Sequence, residues 1–215
     1  ILSFALYVTY SKHLHIFFAF PATYFSDLNP FGSMQSMPAV AHEVKSMLGL
    51  PTDPNFVPNP DTKFGAKDIF DLNIKNALDA YSCTECGRCT EQCPANQSGR
   101  LLSPRKIMMA TRDRLEDVGK VLEQNKGTWV DDGKSLLNNY ISGEELRACT
   151  TCQACLQACP IALNPLDIIL QMRRFQIMEL SEAPSEWNLM FTNLETNQAP
   201  WKFNPDDRLN WAKEI

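Results

Sequence analysis

Cys83-Thr-Glu-Cys86-Gly-Arg-Cys89-Thr-Glu-Gln-Cys93-Pro94 and Cys149-Thr-Thr-Cys152-Gln-Ala-Cys155-Leu-Gln-Ala-Cys159-Pro160 are the two stretches that decide the fold of this chain. Each reads C-x2-C-x2-C-x3-C-P. All eight cysteines of the 215-residue sequence fall inside these runs, and none is left over.

The spacing has a physical reason. Three thiolates two residues apart let one tight loop wrap three iron corners of a cube, with backbone N–H groups aimed at the sulfides. The fourth cysteine, followed by proline, turns away from its own loop and serves the other cluster, as in bacterial two-cluster ferredoxins. The expected ligands of one [4Fe–4S] cluster are therefore Cys83, Cys86, Cys89 and Cys159. Those of the other are Cys149, Cys152, Cys155 and Cys93. Structural zinc also uses paired C-x2-C, but four thiolates satisfy it, and a third cysteine plus Cys-Pro in both runs has no place there. Disulfides suit short secreted scaffolds rather than a chain whose cysteines sit in two metal-spaced clumps.

The length suits one domain with extensions or two small ones. A net charge of −5 and a pI near 5.2 offer no basic face, so no nucleic-acid partner is expected. Thiolate-ligated clusters point to a reducing compartment, the cytoplasm.

Four regions are expected: a membrane-associated segment at 1–25, a linker with a short helix at 26–62, the two-cluster domain at 63–182, and a tryptophan-containing extension at 183–215. Residues 1–25 are the most apolar, but Lys12 interrupts the run, which falls short of the about 20 apolar residues a span needs. The segment reads as the end of a transmembrane helix whose earlier turns precede Ile1. Lys12, His13, Tyr10, Phe17, Phe18, Phe20, Tyr24 and Phe25 then lie at the interface. His13 and His15 read as interfacial or packed residues rather than haem or quinone ligands. His42 sits on a short helical pattern, 38–48, as a surface residue. Prolines 51, 54, 58 and 60 make 49–62 a stiff, extended connector.

Around the cysteine runs the same order appears twice. A helical pattern (68–81, then a short one from Ser142 with Glu145 as a capping box) leads into each loop. A capped helix with proline at its first position follows each, from Ser103-Pro104 to about Gly127 and from Asn164-Pro165 to Leu180. This repeat predicts an all-α, pseudo-two-fold helical ferredoxin. The tail shows a turn at 197–200 and no new periodic core, and is expected to pack on the ferredoxin or a neighbour. Arg100, Arg105, Lys106, Arg112 and Arg114 form a basic run that could meet an acidic partner or lipid headgroups, although a solvated helix face is the plainer expectation. The first loop carries Glu85, Arg88 and Glu91, whereas the second is uncharged between Cys149 and Cys159. Distinct potentials follow, with the lower one expected in the Cys149 loop. No phosphate loop, dinucleotide fingerprint or nucleophile elbow is present, which leaves one-electron transfer.

With these residues in hand, the chain resembles the heterodisulfide-reductase-like iron–sulfur oxidoreductases, including relatives that fuse a nitrate-reductase-gamma-type membrane domain to a two-cluster ferredoxin. The matching residues are Ser11 to Ile16, Tyr81 to Cys89, Ser103-Pro-Arg-Lys106, Cys149 to Cys152 and Asn197-Gln-Ala-Pro200; Ala199 stands where glycine is expected. The resemblance implies an electron conduit on the cytoplasmic face of the cell membrane. Its partners would be a flavoprotein donor of the electron-transfer-flavoprotein kind and a membrane cytochrome b or quinone. No Cys-Cys-Gly segment follows Trp211, so no substrate chemistry is expected on these residues. Two other readings stay open: a piece of a catalytic reductase whose cysteine-rich domain lies elsewhere, and a structural iron–sulfur protein.

Overall fold

Helix starts in this chain are set by short polar side chains, and those starts place everything else. A computed structural model describes residues 1–9, 11–26, 28, 36–57 and 63–213. The expectations for Tyr10, Pro58 and Pro60 lie outside the described residues. Two compact units are present, Ile1–Phe175 and Gln176–Ile215.

In the first unit, α1 (Leu2–Thr9) and α2 (His15–Tyr24) are separated by a 3-10 turn, Lys12–Leu14, whose cap is Ser11. Among the described side chains here only Val8 and Ala22 are buried, while Phe4, Leu6, Tyr7, Phe17 and Phe20 are exposed. Among the described residues no helix is long and apolar enough to cross a membrane. Helix α2 lies along α4 (Ile74–Ser82), with the Phe18 and Tyr81 rings 5.7 Å apart. Helix α3 (Pro38–Met47) follows, and the described part of the connector after it folds back where its prolines suggest an extended run. Phe56 folds back to stack on His42 at 4.6 Å, and His42 Nε2 donates to the Asp53 carbonyl at 3.3 Å.

The expected helix 68–81 is broken in two. Asp68 caps a 3-10 turn, Ile69–Asp71, and α4 (Ile74–Ser82) starts afresh at Asn73, whose side chain accepts from the Asn76 amide at 2.7 Å. Two capping side chains five residues apart outcompete one continuous helix. Short helices α5 (Arg88–Glu91) and α6 (Pro94–Gln97) bracket Cys93. Helix α7 (Pro104–Gln124) starts at Ser103, which accepts from the Lys106 amide at 3.3 Å. An irregular turn at 136–140 leads to α8 (Gly143–Ala148), where the Ser142–Glu145 capping box is formed. Helix α9 (Ala154–Ala158) follows, then α10 (Pro165–Arg174), capped by Asn164. The second long helix is thus shorter than expected, because its last turn, Phe175–Glu179, widens to π geometry.

The core lies between α4, α7, α8 and α10, where Ile107, Met108, Leu146, Ile168, Ile169 and Met172 are at most 1% exposed. Each such side chain contributes about 2 kcal/mol by leaving water. The described residues form no strand, only an isolated bridge between Leu137 and Ile141. The all-α expectation is met.

The second unit carries α11 (Ser185–Asn197) and the short α12 (Asn210–Lys213). Sequence patterning had not marked α11, because its apolar residues do not gather on one face. Asn193 donates to the Pro200 carbonyl at 3.1 Å and Arg208 to the Asn197 carbonyl at 2.6 Å, which closes the turn after α11.

Candidate iron–sulfur site

Both cysteine loops are folded by the same backbone device. In the first, Glu85 and Gly87 take positive φ (56° and 85°); in the second, Thr151 and Gln153 do so (57° and 65°). Alternating left- and right-handed residues turn successive N–H groups into one concavity, the arrangement that favours anions and iron–sulfur groups. Three of these four residues carry a Cβ, at about 1–2 kcal/mol of strain each. The amide of Thr151 donates to Cys149 Sγ at 3.4 Å, and that of Leu163 to Cys159 Sγ at 3.3 Å.

Cys83, Cys86, Cys89, Cys155 and Cys159 line one recess, together with Thr84, Gly87 and Met108. Two cysteines of the second run thus face three of the first. The other grouping is reciprocal: the Cys149 thiol feels the charges of Cys93 and Cys152, and Cys155 those of Cys149, Cys152 and Cys89. The two sets meet at Cys89 and Cys155. Cys86 and Cys152 are exposed, while Cys93 and Cys155 are buried.

Burial pushes the Cys83, Cys89 and Cys149 thiols up and Cys155 up to about 12, whereas the Arg88 amide holds Cys86 below its usual range. Buried thiols of this kind become thiolates only with cationic partners, which iron supplies. Among the described residues no three His, Cys, Asp or Glu side chains converge on a point that would hold a single ion. The sulfurs of the first set instead line a recess, which suits a group with several separate metal corners. The residues therefore fit a cubane at each set.

Two buried carboxylates lock the halves. Asp79, in the helix that enters the first loop, is fully buried; it is paired with Lys75 and accepts from the Asn164 amide at 3.2 Å, at the start of the helix after the second loop. Burial holds its carboxyl above the usual range in spite of Lys75. Glu145, in the helix that enters the second loop, reaches Lys106 at 2.6 Å, in the first turn of the helix after the first loop. Burial works against its charge too, but bonds from Lys106 and Ser142 outweigh burial and lower its pKa.

The basic run expected on α7 is mostly spent inside the fold. Arg114 is fully buried, Arg112 is paired with Glu85 at 2.8 Å, and Lys106 holds Glu145. Arg100, Arg105 and Lys106 stay exposed, Lys106 with its ammonium on Glu145. Arg105 also lines the first recess. Sequence reasoning missed Arg173, whose guanidinium donates to the carbonyls of Leu146 (2.8 Å from Nε) and Cys149. The available signal was its offset of nine residues from the cap Asn164, equal to that of Arg112 from Ser103.

The family model of the 4Fe-4S dicluster domain matches residues 82–163. The "Probable iron-sulfur-binding oxidoreductase FadF" of Bacillus subtilis is 28% identical over 243 aligned residues, covering 100% of this chain and 32% of that protein. The EtfAB:quinone oxidoreductase of Syntrophomonas wolfei is 30% identical, over 70% of this chain and 24% of the relative. A subunit of the ferredoxin:CoB-CoM heterodisulfide reductase of Methanosarcina mazei is 31% identical, over 57% of this chain and 62% of the relative. The chain spans about a third or less of the length of the first two. The eight cysteines and the matched domain give two [4Fe–4S] clusters. The chain is an iron–sulfur electron-transfer component with a 4Fe-4S dicluster domain, and it is similar to the heterodisulfide-reductase-like iron–sulfur oxidoreductases.

Proposed function

We propose that the chain relays electrons between a soluble flavoprotein and haem or quinone in a membrane, at the cytoplasmic face of that membrane. Residues 63–182 are the two-cluster domain in this reading. Cys83, Cys86, Cys89 and Cys159 hold one cluster; Cys149, Cys152, Cys155 and Cys93 hold the other. The observation that carries it is the interlocking of the two sulfur sets, which share a border at Cys89 and Cys155. When bound, the clusters supply one-electron storage at potentials set by charge, hydrogen bonds and exposure.

This chain's own residues do the rest. The amides of Thr151 and Leu163 donate to sulfur and favour added negative charge. The core packed against both loops fixes the separation of the two sets. The exposed thiols Cys86 and Cys152 mark where each site comes nearest to solvent and to a docking partner.

Membrane attachment is supported by the run of apolar side chains that α1 and α2 leave exposed. Because α2 lies along α4, and α4 ends at Cys83, the first set is the one adjoining the membrane-side segment. The names of the matched relatives favour flavoprotein and quinone partners in the same direction. The test is anaerobic isolation in detergent, with iron and labile sulfide assayed and reduction by dithionite followed by EPR. Two interacting reduced clusters, copurifying with a flavoprotein and a b-type haem protein, are expected. Zinc in place of iron, or clusters that dithionite cannot reduce, would overturn the proposal.

A further inference from the structure

Arg112 and Arg173 hold equivalent places in the two halves, each nine residues beyond the residue that caps its helix. Their surroundings differ. Arg112 Nη2 lies 2.8 Å from Glu85 Oε1, and the side chains are only 14% and 21% exposed. Glu85 sits between Cys83 and Cys86, so the first loop carries its own counter-charge to Arg112. Thr151 occupies the corresponding position between Cys149 and Cys152 and carries none.

Arg173 meets backbone carbonyls instead, those of Leu146 and Cys149. Carbonyls orient a guanidinium without cancelling its charge. Among the described residues the only charge that bears on Arg173 is the Cys149 thiolate, and no carboxylate pairs with it. Two neighbouring thiols, Cys93 and Cys152, lie within electrostatic reach of that same sulfur.

We propose that Arg173 is an unquenched cation that raises the reduction potential of the cluster held by the Cys149 loop, while Glu85 quenches its counterpart Arg112 beside the Cys83 loop. The inference rests on the ligand sets proposed above. Reduction adds one negative charge to a site with little water, where a fixed positive charge acts with weak screening and favours the reduced form. The lower potential expected of the uncharged second loop counted only residues between Cys149 and Cys159. Arg173 enters that loop's surroundings from α10, fourteen residues further along.

The experiment is an EPR-monitored redox titration of the full chain, purified anaerobically, as wild type and as Arg173→Gln, Arg173→Lys and Glu85→Gln. Iron and labile sulfide are assayed on each. Arg173→Gln should lower one midpoint only, with about a tenfold change in that cluster's oxidised-to-reduced ratio at fixed potential, equivalent to 59 mV for one electron. Arg173→Lys, which keeps the charge but not the fork, should stay within about threefold of wild type. Glu85→Gln, which removes the loop's own negative charge and leaves Arg112 only the more distant Asp113 (3.8 Å) and Glu116 (4.0 Å), should raise the other midpoint. Equal shifts in the two Arg173 variants would assign the effect to hydrogen bonding and overturn the proposal. An unmoved midpoint in Arg173→Gln, or both midpoints moving together, would also overturn it. Should Arg173→Gln lose its clusters, Glu85→Gln decides: an unchanged midpoint there refutes the charge argument. Wild-type protein without iron and sulfide would refute the ligand sets themselves.

Discussion

Replacing Arg114 with methionine tests whether the loop across α7 is held by charge or by packing. The arginine side chain is fully buried, and its Nε lies 3.0 and 3.1 Å from the two Asp68 oxygens. Nη1 reaches Asp132 at 2.5 Å and Nη2 the Lys134 carbonyl at 2.6 Å, while Trp129 and Tyr140 face the guanidinium at 5.7 and 5.9 Å. Methionine refills much of the stem but strands two carboxylates. Removing one partner of a buried pair costs about 3–5 kcal/mol. Asp68 and Asp132 are 13% and 19% exposed, so some hydration returns and the lower figure, about 3 kcal/mol, applies. For a unit of this size that lowers the thermal midpoint by about 6–12 °C. The assay is an anaerobic calorimetric melt of the cluster-loaded chain beside Arg114→Lys, which cannot bridge both carboxylates and should lose an intermediate amount. A methionine variant melting within about 2 °C of wild type would show that the network is solvated and contributes little.

Four further outcomes are expected. Cys159→Ser should perturb the cluster of the first loop although it lies in the second run, and Cys93→Ser should do the converse; EPR of the reduced variants reads which signal changes. Gly65→Ala should destabilise by about 2 kcal/mol or more, because φ is +91° and a Cβ would meet the Gln171 carbonyl oxygen at 2.2 Å; a denaturant midpoint measures it. The bond from Arg114 depresses Asp132, and the bond from Tyr140 depresses Asp117. Both contribute stability above their unfolded value of 3.8 that is lost as pH falls through the lower folded values; an Asp132→Asn chain should show a shallower acid decline in a pH series of melts. Stripping iron with acid and chelator should abolish the cooperative melt of 63–175, because the thiol-lined space loses its only filling; circular dichroism before and after follows this.

Local chemistry made much of the domain legible before any coordinates. Ser103-Pro104, Asn164-Pro165 and the Ser142–Glu145 box are side-chain-to-backbone contacts within four residues, so they can be read from neighbours alone. The break at Leu72–Asn73 was hidden because the apolar spacing from Phe70 to Tyr81 continues smoothly across it. Arg114 and Arg112 looked like surface charge for a related reason. Asp68 is 46 residues from Arg114, and nothing in a helical pattern shows which basic residue will find a distant acid. The two-cluster domain was legible because the cysteine spacing is itself a record of loop geometry. The role of α11 was not, since its apolar residues Trp187, Leu189, Phe191 and Leu194 remain exposed and so carry no one-sided signal.

In the ligand sets proposed above, the exchange of Cys93 and Cys159 between loops has a bearing on biosynthesis. When the ribosome has released the first run, the cell holds a peptide with three sulfurs facing a space whose closing sulfur, Cys159, has yet to be translated. The cage that borrows Cys93 cannot close before Cys155 is made, nor the cage that borrows Cys159 before that residue, and the Asp79 tie waits for Asn164. Iron delivery to both cages is thereby deferred to a nearly finished product, and a transcript truncated between the two runs yields an iron-free protein rather than one carrying half the metal.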